Sequence, residues 1–289
     1  MHEIRTACQH TAQGGASVPP NSPKPRAHAG GNIPVSRLSG GEHEWGRRNL
    51  QTAGQLTVAA DSPAYDPWFT NNTPSNGKGY ESAVAYAVAT QLGFSKDQVK
   101  WVVEPFDSSY APGPKKFDFD INEISVTSDR EQVVSFSKSY FDVNQAVVAL
   151  KSNPIVNAHS PSDLPNYKFG DQVGTTSLAY IQRQIKPTKT PAVYNTLDDA
   201  VAALKTKQID AIVIDTPTAQ FMATQQVPNS TVVGQFPTTG EHYGLLFAKG
   251  NSLVTCVNQA IDKLNSAGTI RNLQTQYLSD YISIPVIQP

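Results

Sequence analysis

Three short stretches hold residues whose types and spacing suit the capture of a small charged molecule. The first is Phe117-Asp-Phe-Asp-Ile-Asn-Glu-Ile-Ser-Val-Thr-Ser-Asp-Arg130. Phe117, Phe119, Ile121 and Ile124 have the spacing of a strand that runs out into a turn. Ser125, Thr127 and Ser128 are hydrogen-bond donors, and Asp129 suits the start of a following helix. Arg130 then offers a planar fork of N–H groups, the best geometric match to a carboxylate. Two readings of it stand on this stretch alone: an anion clamp, or a surface arginine at a helix start.

The second stretch, Gly170-Asp-Gln-Val-Gly-Thr-Thr-Ser-Leu-Ala-Tyr-Ile181, reads as a short strand, a turn and a helix. Its Gly-Thr-Thr-Ser turn leaves N–H groups and hydroxyls at a helix N-terminus, where anions are favoured. The third, Ile209-Asp-Ala-Ile-Val-Ile-Asp-Thr-Pro-Thr-Ala219, is an apolar strand that delivers Asp215 at its carboxyl end. Pro217 suits the first turn of the next helix. An arginine and an anion-binding turn for a carboxylate, with an acid for an ammonium, are the groups that hold a free α-amino acid.

The elements that must position these groups alternate along the chain. Strands are expected at Leu56–Ala60, Val99–Val103 and Phe117–Ile124, with a helix at Glu81–Leu92 closed by Gly93. An apolar run at Ala146–Leu150 reads as a crossing strand. Beyond it, Phe169–Val173, Ala179–Gln184, Ala192–Tyr194, Leu197–Lys205 and Ile209–Asp215 give a second strand–helix alternation. Two such alternations predict an α/β protein of two lobes with mostly parallel sheets. Ligands of open α/β sheets bind beyond the carboxyl ends of the strands, so both sets of ends face one cleft.

Composition narrows the function classes. The 289 residues carry a net charge of −1, with no basic run of the kind that binds nucleic acid. No stretch approaches the roughly 20 apolar residues of a membrane-spanning helix. Cys8 and Cys256 stand far apart, and the expectation for Cys256 is a buried thiol rather than a disulfide or metal ligand. Residues 1–53 are rich in Gly, Pro, Ser, His and Arg without apolar periodicity, and read as a disordered tail. The triplet Thr6-Ala7-Cys8 is similar to the end of a bacterial lipoprotein signal, but no apolar segment precedes it; a chance match or an altered start is the preferred reading.

The order of motifs from Leu56 to Ile282 resembles the family-3 extracellular solute-binding proteins, the polar-amino-acid receptors of bacterial ABC importers. Leu56-Thr-Val-Ala-Ala-Asp-Ser-Pro-Ala-Tyr-Asp-Pro-Trp-Phe69 resembles the first strand and ligand loop, and Gly79–Gly93 the first helix. Ser125–Arg130, followed by Val134–Tyr140, resembles the carboxylate clamp and the strand entering the hinge. Tyr243–Gly250 resembles the return hinge, and Gly268–Leu278 the closing helix. The resemblance implies a type II periplasmic-binding-protein-like fold, with lobe 1 formed by 54–144 and 243–289 and lobe 2 by 145–242.

It also implies roles. Arg130 and Thr176 would hold the ligand carboxylate from opposite lobes, Ser125 would add a hydroxyl, and Asp215 would accept from the ammonium. Ser125 alternatively only ends its strand, and Asp215 only starts a helix. Tyr65 and Phe106 match aromatic walls of the family pocket; Trp68 and Tyr110 are open between core and pocket. Glu123 stands where many relatives are small or uncharged, and either faces the pocket and sets specificity or is a plain strand residue. Asp61, Asp66, Asp107 and Glu123 either make the cleft acidic and suit a basic ligand, or point to solvent. Pro112 and Pro114 break the apolar helix usual in the family at Ser108–Pro114. The implied protein is a monomeric, extracytoplasmic binding protein that closes on an amino acid and is read by a membrane permease. It has no cofactor, no metal and no nucleic-acid partner. The rival on the same fold is a cyclohexadienyl or arogenate dehydratase-like enzyme.

Overall fold

The computed structural model describes residues 50–236 and 239–288. The expectations placed on the first 49 residues, Cys8 included, lie outside the described residues. The chain begins with β1 (Leu56–Ala60), whose five residues are all buried. Helix α1 (Tyr80–Leu92) follows and buries Val84, Ala85, Val88, Ala89 and Leu92. Gly93, at φ +92°, closes it by donating its N–H to the last-turn carbonyls. Then come β2 (Val99–Val103), a short α2 (Phe106–Ser109), β3 (Phe119–Asp120) and α3 (Ser128–Val133). The two long strands β4 (Val134–Val143) and β5 (Gln145–Leu150) carry the chain across to a second sheet.

That second half contains β6 (Gly170–Gln172), α4 (Thr176–Tyr180), β7 (Ala192–Tyr194), α5 (Leu197–Lys205), β8 (Ala211–Asp215), α6 (Thr216–Phe221) and β9 (Ser230–Gln235). Thr196 caps α5 by accepting from the Asp199 N–H, and Asp198, Asp199 and Lys205 complement the helix dipole. Strand β10 (Glu241–Ala248) returns to the first sheet, followed by α7 (Leu253–Ser266) and α8 (Thr269–Leu278).

The first sheet has the order β2-β1-β3-β10-β4. The second is built around β8-β5-β9, with the β6-β7 pair attached through a Phe169–Ala211 bridge. The expectation of mostly parallel sheets is corrected. The β1 pairs and β6-β7 are parallel, but β10 runs antiparallel to β3 and β4, and β5 antiparallel to β8 and β9. The cause is the crossing itself: the strands that travel between sheets enter and leave in opposite directions. Each half has its own core. Leu56, Val84, Val88, Phe247 and Ile261 pack in the first; Val148, Leu204, Ile212 and Val213 lie in the second.

Two further expectations change. The strand expected at Phe117–Ile124 is only two residues long. Ile121 still donates to the Ala59 carbonyl, but Glu123 then turns the backbone at φ +53° and breaks the ladder. Cys256 is half-buried and disulfide-bonded rather than a buried thiol.

The segment 243–289 also divides between the halves. Leu278 is buried in the first core, whereas Ile287 is 1% exposed in the second. Gln235 makes backbone bonds to both Pro285 and Ile287 there: Gln235 N–H to Pro285 O and Ile287 N–H to Gln235 O, each 2.8 Å. Gly234 makes room for this docking, since a Cβ on it would lie 2.7 Å from Ile287 Cγ1. Ile287→Ala is expected to destabilise the protein by about 2 kcal/mol, the low end for a buried aliphatic truncation, read as a lower denaturant midpoint.

Candidate functional site

A cavity lies between the two sheets, at the carboxyl ends of their strands. Asp61 follows β1, and Asn122 and Glu123 follow β3; Gln172 ends β6, and Asp215 ends β8. Seven residues singled out from sequence line it together: Asp61, Tyr65, Phe106, Glu123, Ser125, Thr176 and Asp215. The Gly174-Thr175-Thr176 turn is built as its sequence requires. Gly174 adopts φ +75°, and Thr175 caps α4 by accepting from the Leu178 N–H at 3.0 Å. A Cβ on Gly174 would collide with the Tyr110 hydroxyl.

Arg130 sits at the edge of this cavity, in the wall of an adjoining cleft with Tyr110, Gly174, Thr175 and Thr176. It is 7% exposed. Its Nη1 donates to the Ser125 carbonyl at 2.8 Å and its Nη2 to the Gly174 carbonyl at 3.0 Å. One guanidinium therefore links the two halves of the molecule. Its carbon lies 4.4 Å from the Tyr110 ring centroid and 5.4 Å from that of Phe106, a cationic group held by aromatic faces. Tyr110, open from sequence, thus packs against Arg130 in the cleft wall. The cap of α3 is Thr127, which accepts from the Arg130 N–H at 3.2 Å, and Asp129 lies inside the first turn.

Asp215 is held by a network that sequence reading missed. Its Oδ1 accepts from Gln145 Nε2 at 2.5 Å, and its Oδ2 from the Tyr243 hydroxyl. The same Gln145 amide nitrogen donates to Glu241 Oε2 at 2.8 Å, and Gln145 Oε1 accepts from Ser177 at 2.8 Å. Ser125 donates to Glu241 Oε1 at 2.5 Å. Glu241, two residues before the Tyr243 hinge motif, carried no pattern that would mark it. Burial raises the Asp215 pKa to about 8, with the charge of Glu241 adding to the shift.

Glu81, on α1, is fully buried. Its Oε1 accepts from the Glu123 N–H at 2.7 Å and from the Tyr140 hydroxyl, and burial raises its pKa to about 7. Asp171, 1% exposed, lines the cavity wall with its Oδ2 unpartnered, and burial pushes it well above the usual carboxylate range. Trp68, open from sequence, is a core residue at 0% exposure, packed edge-on against Phe141 and Tyr243. Among the described residues no cluster of His, Cys, Asp and Glu has the form of a metal site.

These shifts set a pH dependence. Unfolded carboxyls titrate near 4, so between about pH 4 and 8 the folded chain binds more protons than the unfolded one. Stability therefore falls as pH rises through this window. The unliganded protein is expected to melt at lower temperature at pH 8 than at pH 5, and Asp215→Asn should flatten the segment above pH 7.

Residues 56–280 match the model of the bacterial extracellular solute-binding proteins, family 3. The chain belongs to this family. The L-arginine-binding protein of Pseudomonas aeruginosa is 28% identical over 239 residues, covering 77% of this chain and 90% of the relative. The ABC transporter arginine-binding protein 1 of Escherichia coli is 25% identical over 224 residues, covering 75% of this chain and 88% of the relative. Among solved structures, an ancestral arginine-binding protein bound to glutamine superposes with a TM-score of 0.67 at 28% identity, covering 78% of this chain and 98% of that one. The fold is the two-lobe type II arrangement of this family, and the cavity is the cleft between the lobes. The relatives are named as binding proteins. Among the described residues no helix is long and apolar enough to cross a membrane.

Proposed function

We propose that this chain is the extracytoplasmic binding component of an ABC importer, a monomer that closes on a free L-α-amino acid and is read by a membrane permease. The observation that carries the reading is the convergence of Ser125, Thr176 and Asp215 on one cleft, with Arg130 at its edge bonded to both lobes. Arg130 and the N-terminus of α4 supply positive charge for the carboxylate, and Asp215 accepts from the ammonium. Tyr65 and Phe106 flank the side chain. The names of the relatives support amino acids as the ligand class and an ABC transporter as the setting. Closure is then a population shift driven by contacts with both lobes at once. A thermal-shift screen against the common amino acids, followed by calorimetry on each hit, tests the reading; no shift with any amino acid would sink it.

One observation favours a second reading. Glu123 lines the cleft and is pushed well above the usual carboxylate range by burial and by the charges of Glu81 and Asp215. A protonated acid at that place is what a dehydratase-like reaction would use. Incubation with prephenate or arogenate, with assay of the dehydrated product, decides between binding and turnover.

A further inference from the structure

Glu123 holds a backbone conformation that favours glycine, φ +53°, in the wall of the cleft. Strain of this kind persists where surrounding contacts over-determine it, and it gathers at functional sites. Here the contacts are explicit. The Glu123 N–H donates to Glu81 Oε1 at 2.7 Å, and Tyr140 donates to the same oxygen. At the other end of the residue, the Thr218 hydroxyl donates to Glu123 Oε2 at 2.7 Å. Thr218 in turn accepts from the Trp68 indole N–H at 2.7 Å.

The direction of this chain is fixed by chemistry. An indole nitrogen only donates, so Thr218 must accept from Trp68 and send its own proton onward. Glu123 Oε2 is therefore held as an acceptor. Trp68 and Glu123 belong to the first lobe and Thr218 to α6 of the second, so the chain is complete only when the lobes are together. The cavity wall around Glu123 contains three more acids, Asp61, Asp171 and Asp215, and no Lys, Arg or His. An amino acid with a neutral side chain brings one cation to this wall, its ammonium, which Asp215 satisfies. A second carboxylate acceptor, positioned at such conformational cost, calls for a second positive group.

We propose that Glu123 is the specificity-determining residue of the cleft: it selects amino acids whose side chain is positively charged, with Thr218 and Trp68 as positioning residues that aim it as the lobes close. This rests on the reading of the cleft as an amino-acid site.

The test is calorimetry on the full chain with arginine, lysine and citrulline, the last a neutral isostere of arginine. Glu123→Gln retains an oxygen for the Thr218 hydroxyl while removing the group that ionises against a cationic side chain. It is expected to weaken arginine and lysine by tenfold or more and citrulline by less than threefold. Thr218→Val should shift the arginine-to-citrulline ratio in the same direction by a smaller factor, which a purely structural role would leave unmoved. Glu123→Gly controls for folding, because glycine is at home at this φ; it should melt no lower than wild type and still lose arginine. Equal losses for arginine and citrulline would reduce Glu123 to a latch between lobes and overturn the assignment, as would unchanged arginine binding. A wild-type chain that binds neutral but not cationic amino acids overturns this inference and leaves the amino-acid reading standing. A wild-type chain that binds no amino acid removes both.

Discussion

Replacing Arg130 by alanine is expected to abolish ligand binding while the protein stays folded. The guanidinium has five N–H donors, and two are engaged by the Ser125 and Gly174 carbonyls. Tyr110 takes part in a further side-chain contact with it, and under the proposed function the rest of the fork is directed at a carboxylate in the cleft that Thr175 and Thr176 also line. Truncating one partner of a buried, hydrogen-bonded charge pair costs about 2–5 kcal/mol, roughly thirtyfold to several thousandfold in affinity. Arg130→Ala has a second effect. It removes a bond that spans the lobes and frees Tyr110 from its stacking partner, so the closed form itself loses support. Arg130→Lys should fail too, because an ammonium cannot reach two carbonyls and a carboxylate from one planar frame. Calorimetry that returns wild-type affinity for the alanine variant, with an unchanged melting curve for the unliganded protein, would take Arg130 out of the site.

What the sequence made legible follows its local signals. β1, β2, β7 and α5 fall where alternation, apolar periodicity and capping place them, because each is decided by its own residues. Phe117–Ile124 reads as one strand because its alternation is clean, yet only Phe119–Asp120 pairs. The pull that ends it comes from elsewhere: Glu81 on α1 captures the Glu123 N–H, and no window around Glu123 contains that information. Sheet direction was misjudged for a similar reason. Strand–helix alternation signals parallel neighbours, but the strands that cross between lobes carry no local mark of their direction.

At the site, the turn, the arginine and the strand-end acid were readable because each sits at the end of an element with its own pattern. Glu241, Gln145 and Tyr243 were not. They act by bonding to Asp215 and Ser125 across 28 to 116 residues of chain, and a lone Gln or Glu on a strand looks the same whether it faces a carboxylate or water. The docking of Ile287 on the second core was hidden too: an isolated apolar residue near a chain end has no periodicity to report.

Asp215 is expected to supply the other large effect, a coupling of binding to protons. Although it precedes α6, its side chain makes no capping bond to that helix. Both oxygens are instead held by Gln145 and Tyr243 and turned toward the cleft that it lines. In the unliganded protein its pKa is about 8, so at pH 7 the group is mostly protonated. An ammonium placed against it favours the charged form and expels that proton. Affinity for the amino acid should then tighten as pH rises toward 8, by up to roughly tenfold per unit below the pKa. Calorimetry at pH 7 in two buffers of different ionisation enthalpy should register the release of close to one proton. Asp215→Asn should abolish that release and weaken amino-acid binding far more than binding of the des-amino analogue, which has no ammonium to lose. The two ligands losing equally, or a proton release that survives the substitution, would mean that Asp215 shapes the cleft without touching the ammonium, and the charge balance of the site would have to be rebuilt around Glu123 and Asp171.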